Sequence, residues 1–118
     1  MEGSGEKVYI NLEEGLGRIR GNKAIYKKML GLFLASKEMD TLEESLAQGD
    51  YPKAADIAHA IKGMTGNLSL TALFEISTKL MLTLREGAPS EEDLQNYRET
   101  LVETKKQVEA LCAQFDTE

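Results

Sequence analysis

The chain has 118 residues, 42% of them hydrophobic, and a formal net charge of −6 at pH 7. That length suits one domain with its own core, and a net negative chain is a poor match for nucleic acid, whose binding draws on clustered Lys and Arg. The longest apolar stretch is the seven residues "MLGLFLA" at 29–35, far short of the roughly 20 that span a bilayer, and Cys112 as the sole cysteine excludes an intramolecular disulfide.

The opening "MEGSGEKVYI" has neither the basic nor the apolar region of a secretory signal, so a cytoplasmic setting is expected. Residues 1–7, small and polar, read as a flexible tail, and residues 8–116 as the domain. "NLEEGLGRIR" at 11–20 suits a short helix, with Asn11 as N-cap and Leu12, Leu16 and Ile19 on one side. Gly21 breaks the chain and Asn22 caps the next segment. That segment, about 23–48, reads as one long helix ending at Gly49. Its second half is amphipathic through Met39, Leu42 and Leu46. Its first half is apolar nearly all the way round, as in a helix that is enclosed or that leaves apolar surface for a partner. Met29, Leu32, Phe33 and Ser36 share one side of it and Tyr26, Leu30 and Lys37 the adjacent side; the sequence leaves open which turns outward.

Asp50 caps the following helix, with Pro52 tolerated in the first turn, where backbone N–H groups lack helical partners. This helix runs to about Leu68. After Ser69, residues Leu70, Leu73, Phe74, Ser77, Leu80, Met81 and Leu84 form one stripe up to Gly87. "SEED" at 90–93 is a capping-box signal, Ser90 and Asp93 being three apart. The last helix carries Leu94, Tyr97, Leu101, Val108, Leu111, Cys112 and Phe115 on one face, where Cys112 reads as a small core residue. No strand alternation, phosphate-binding glycine loop or repeat is present. The expected fold is all-α: an antiparallel up-down four-helix bundle with a short extra N-terminal helix.

The chain's one histidine lies in "AHAIKGMTGNL" at 58–68. With each residue advancing roughly 100°, Ile57, Ile61, Met64 and Leu68 fall on the core side. His59, Lys62, Gly63 and Gly66 fall on the other. Each glycine costs about 1 kcal/mol against alanine inside a helix, and outward positions give core packing no obvious reason to accept it. Missing side chains beside an exposed imidazole let another surface approach. Near neutral pH such a ring offers an unprotonated nitrogen that can attack phosphorus, and Lys62 can hold a phosphoryl oxygen as a point charge. "DIAH" also sets Asp56 and His59 at a spacing usable for a metal, but a di-iron bundle needs two inward Glu-x-x-His motifs. A solvated, incidental histidine beside glycines that mark fraying is the plain alternative.

"AHAIKGMTGNL" resembles the signature of histidine-containing phosphotransfer (HPt) domains, a His followed by an aliphatic residue two on and then Lys-Gly. "NLEEGLGRIRGNKAIYKKMLGLF" is similar to the start of the HPt domains of hybrid sensor kinases, and "LEESLAQGDYPKAADIAHAIKG" to their approach to the phosphorylation site. The resemblance covers roughly residues 9 to 112. It implies a phosphorelay intermediate: His59 accepts a phosphoryl group from a receiver-domain aspartate and passes it to another receiver, Lys62 contacts the phosphoryl group and Gly63 leaves clearance. The implied partners are response-regulator receivers and a hybrid sensor histidine kinase, without nucleic acid or membrane insertion, and the carrier is a monomer. It implies no autonomous kinase activity and no cofactor of its own, Mg²⁺ being expected on the receiver. Gly66, Leu30, Lys37 and Ala55 are the candidates for the partner interface.

Three positions depart from the family pattern. Met64 stands where many relatives have Ser or Ala, and Ser69 where a Gly is frequent. Met81 stands where a Glu or Gln of the family can hydrogen-bond the histidine ring, which a methionine does not do. A degenerate HPt-like module that docks to a receiver or kinase without transferring phosphate is the rival function, and a metal-binding bundle the third.

Overall fold

A computed structural model describes residues 7–117, and all regular structure among them is helical. Six of the expected tail residues, 1–6, lie outside the described part. The helices are α1 (Leu12–Gly17), α2 (Lys23–Ala35), α3 (Glu38–Ala47), α4 (Tyr51–Asn67), α5 (Thr71–Glu86) and α6 (Glu91–Asp116).

Four N-caps fall where the residue types demand. Side chains of Asn11, Asn22, Asp50 and Ser90 accept hydrogen bonds from the backbone N–H groups of Glu14, Ile25, Lys53 and Asp93, each quenching one of the orphan donors at a helix start. At "SEED" no return bond of the capping box is found among the described residues. The Asp93 carboxylate turns instead to α5, 3.2 Å from Lys79 Nζ, and accepts a long bond from Thr83 Oγ1.

The expected single helix over 23–48 is two helices. Ser36 has φ −65° and ψ 139°, an extended conformation that ends the helical ladder, and its hydroxyl accepts from Glu38 N at 3.2 Å to start α3. The break gives the two halves different neighbours: α2 packs on α6, and α3 on α4. An apolar run without a phase does not reveal such a turn, because either half remains hydrophobic on whichever side it buries.

α4 and α5 share the most extensive helix–helix contact, and α5 in turn packs on α6. The core between them is built from Ile57, Ala58 and Ile61 of α4, Leu73, Leu80, Met81 and Leu84 of α5, and Leu94, Tyr97 and Val108 of α6, with Tyr26, Leu30 and Phe33 of α2 and Leu42 of α3 closing it. Cys112 is partly buried and packs against this cluster, and burial pushes its thiol up.

The α4–α5 corner is fastened from the N-terminal side. Ser69 adopts φ +58°, a left-handed conformation that serine enters only at a cost. Its carbonyl accepts from Asn11 N, and Val8 O accepts from Ala72 N, both at 2.9 Å. The Tyr26 hydroxyl donates to Leu68 O at 2.6 Å. Gly15 of α1 lies so close to the Tyr26 ring that a Cβ there would stand 2.7 to 2.9 Å from its atoms. These contacts hold the segment from Val8 to Gly17 beside the end of α4, and so beside the face that carries the histidine.

Candidate functional site

His59 is exposed in the middle of α4, while Ile57, Ala58 and Ile61 on the same helix are buried. The helical phase that puts three apolar residues into the core leaves the imidazole no choice of side. Among the described residues no hydrogen bond or ion pair reaches the ring, so no protein group fixes which nitrogen carries the proton. Met81, which stands where the resemblance implied a ring-contacting polar residue, is 4% exposed and packed into the core.

His59 opens onto a cleft of about 520 Å³. α4 supplies its floor with His59, Lys62, Gly63, Gly66 and Asn67; α5 supplies one wall with Thr71, Phe74 and Glu75; α1 and the residues flanking it supply the other with Asn11, Glu14 and Arg18. The expected trio of His59, Lys62 and Gly63 is therefore brought together on one surface. Lys62 is half-buried, and its ammonium makes no ion pair among the described residues.

The two glycines differ. A Cβ built on Gly63 meets nothing within 4 Å, so nothing inside the molecule requires glycine there. A Cβ on Gly66 would stand 3.1 Å from two carbons of the Phe74 ring. The expectation that both glycines serve an outside partner is corrected for Gly66: it also lets the Phe74 ring of α5 lie against α4, a packing reason that the helical phase of α4 alone does not disclose.

Of the candidate interface residues, Leu30 is 0% and Ala55 4% exposed. Both are core residues and present no surface to a partner. Leu30 faces the core beside Tyr26 and Phe33 because α2 is enclosed on that side, and Ala55 lies on the buried arc of α4. Lys37 is exposed at the α2–α3 break. Of the two sides of α2, the one with Met29 and Leu32 is partly outward, although Phe33 on it is 0% exposed. Together with Phe33, Ser36, Met64, Asn67 and Leu68 they line an apolar groove of about 460 Å³ on the other flank of α4, and Leu32 is 65% exposed.

Sequence reasoning missed the α1 wall. Glu14 on α1 and Arg18 at its C-cap enclose the histidine cleft. Ser69 Oγ donates to Glu14 Oε1 at 2.7 Å and accepts from Arg18 Nε at 3.3 Å, and Arg18 Nη2 donates to the same carboxylate oxygen at 3.3 Å. The hydrogen bond from Ser69, then that from Arg18, holds the Glu14 carboxyl below the usual carboxylate range. The spacing of Glu14 and Arg18, four apart on a helix, signalled their pairing; the third partner, 51 residues away from Arg18, had no local signal.

Asp56 and His59 are both exposed, and among the described residues no group of three or more His, Cys, Asp and Glu side chains gathers to hold a metal ion. No described helix is long and apolar enough to cross a membrane. A family model described as the Hpt domain matches residues 28–117. No curated protein and no solved structure matches the chain.

Proposed function

The chain belongs to the Hpt domain family, and from that membership we propose that His59 is the phosphoryl-carrying residue of a phosphorelay intermediate. The observation that supports this most directly is the geometry of α4: the chain's one imidazole, exposed in mid-helix, shares a cleft with Lys62 and with Gly63, whose bare backbone has no intramolecular cause. In this reading a receiver domain bearing an aspartyl phosphate docks over the cleft. An unprotonated ring nitrogen of His59 attacks phosphorus in line, a P–N bond forms, and the bond to the aspartyl oxygen breaks with its electron pair returning to the carboxylate. The reverse sequence loads a second receiver. Lys62 neutralises charge on the phosphoryl oxygens, and Gly63 lets the donor come within reach. Because such a transfer is governed by positioning and charge stabilisation, the chain needs no kinase machinery of its own; Mg²⁺ belongs to the receiver.

The rest of the reading follows from the same docking. Residues 8–116 form the carrier domain, a monomer in the cytoplasm served by a hybrid kinase. Its four helical spans, 23–48 with the break at Ser36, 51–67, 71–86 and 91–116, run up and down in antiparallel order. Short connections between packed neighbours support that order.

One observation favours a second reading. With Met81 buried and no hydrogen bond to the ring among the described residues, a docking module that binds receivers without accepting phosphate is served equally well. One experiment separates the two. Wild-type protein and His59→Gln are each incubated with receivers carrying radiolabelled aspartyl phosphate. Acid-labile, base-stable label on the wild type alone is the expected result. Label on His59→Gln removes His59 as the acceptor, and binding without any label favours the docking module.

A further inference from the structure

The wall that α1 contributes has chemistry the transfer step does not use. From His59 to Ser69 is ten residues, on the order of 15 Å along the α4 direction, and the Arg18 guanidinium is tied to Ser69. Arg18 is therefore held toward the end of the cleft away from His59, and no contact between the two is found among the described residues. A docked domain is another matter. A specific interface buries about 800 Å² on each partner, a disc of roughly 16 Å radius; centred on His59, its rim passes over Arg18.

Arg18 is arranged to act at such a rim. Its side chain is 50% exposed. Nε and Nη2 are spent on Ser69 and Glu14, which fixes the plane of the guanidinium, while no bond to Nη1 is found among the described residues. The Glu14 carboxylate accepts from both Ser69 and Arg18 through Oε1 and so helps to hold the guanidinium in place. The fastening is kept at a cost: Ser69 stands at φ +58°, where glycine would sit without strain, and it is the serine hydroxyl that links Glu14 to Arg18. Glu75 on the opposite wall carries a carboxylate with no partner among the described residues, so an anionic group entering the cleft is turned away from α5 and toward α1.

We infer that Arg18 is a specificity residue of the docking surface, selecting receivers that place a carboxylate over the α1 end of the cleft. This rests on the phosphocarrier reading, and the test keeps the two apart. The probe is whichever receiver domain encoded in the same genome, loaded with radiolabelled aspartyl phosphate, gives label to wild-type protein fastest. Single-turnover transfer is measured as a function of carrier concentration for wild type, Arg18→Glu, Arg18→Gln and Arg18→Lys, at low and at high salt, with thermal melts of each variant.

A rim charge acts through association and is screened by salt. Arg18→Glu is expected to raise the half-saturating concentration roughly three- to tenfold at low salt, leave the saturating rate unchanged, and lose the difference at high salt. Arg18→Gln shows a smaller effect of the same kind and Arg18→Lys stays close to wild type. If Arg18 only clamps α1, the variants lower the melting temperature and the saturating rate equally at both salt concentrations, or leave transfer unchanged; either result overturns the inference. If no receiver labels the wild type at all, the phosphocarrier reading falls first and takes this one with it.

Discussion

Gly63 offers the sharpest separation of stability from function. A methyl group added there points into open space, with no atom beyond its own turns of α4 within 4 Å among the described residues. Alanine in place of an exposed, mid-helix glycine reduces the freedom of the unfolded chain and stabilises by about 0.5–1 kcal/mol. For a domain of this length, that raises the melting temperature by roughly 2–5 °C. The same methyl stands one turn beyond His59, where the proposed donor approaches. If it holds the donor away by about 1 Å, the transfer rate falls by up to on the order of 100-fold. Gly63→Ala is therefore expected to be more stable than wild type by circular-dichroism melting and much slower in phosphotransfer from a loaded receiver. A variant that melts higher and transfers at the wild-type rate would remove the clearance role. One that melts lower would show that α4 is not open at that point.

The second glycine of the motif behaves differently. Gly66→Ala gains the same helix term but pushes a Cβ to 3.1 Å from the Phe74 ring, so its melting temperature should fall short of that of Gly63→Ala by an amount worth about 1–2 kcal/mol. Phe74→Leu, with a smaller side chain, should close most of that gap. Gly15→Ala drives a methyl into the Tyr26 ring, which is 1% exposed and held by its bond to Leu68 O; urea denaturation should show a loss of about 1–3 kcal/mol. Burial raises the Tyr26 phenol to about 12, whereas an unfolded tyrosine ionises near about 10. The unfolded chain thus gives up this proton first, so the contribution of Tyr26 is complete below about pH 10 and is lost as pH rises toward about 12. Tyr26→Phe should show a shallower fall of stability over that range in urea titrations, from a starting value lowered by about 1 kcal/mol for the missing hydrogen bond.

The local signals that succeeded share one property: their physics is contained within a few residues. A cap at Asn11, Asn22, Asp50 or Ser90 depends on one side chain and an N–H three residues on. The exposure of His59 follows from its phase against Ile57 and Ile61. The failures share the opposite property. Leu30 and Ala55 were legible as apolar residues near a motif, but which side of α2 turns inward is decided by what packs there. Gly66 was legible as a costly residue whose cause, the Phe74 ring, belongs to another helix.

By itself, then, the order of residues determined a helical protein, the starts of most of its helices, and an imidazole, a lysine and an unobstructed glycine on the solvent side of one helix. Each of these is settled by helical phase and by hydrogen bonds that close locally. Only the tertiary structure decided that the run over 23–48 turns at Ser36, that Gly66 answers to Phe74, and that Glu14 and Arg18 wall the histidine cleft through Ser69. Those depend on surfaces meeting across tens of residues of chain, where the side a helix buries is set by its neighbours as much as by its own pattern.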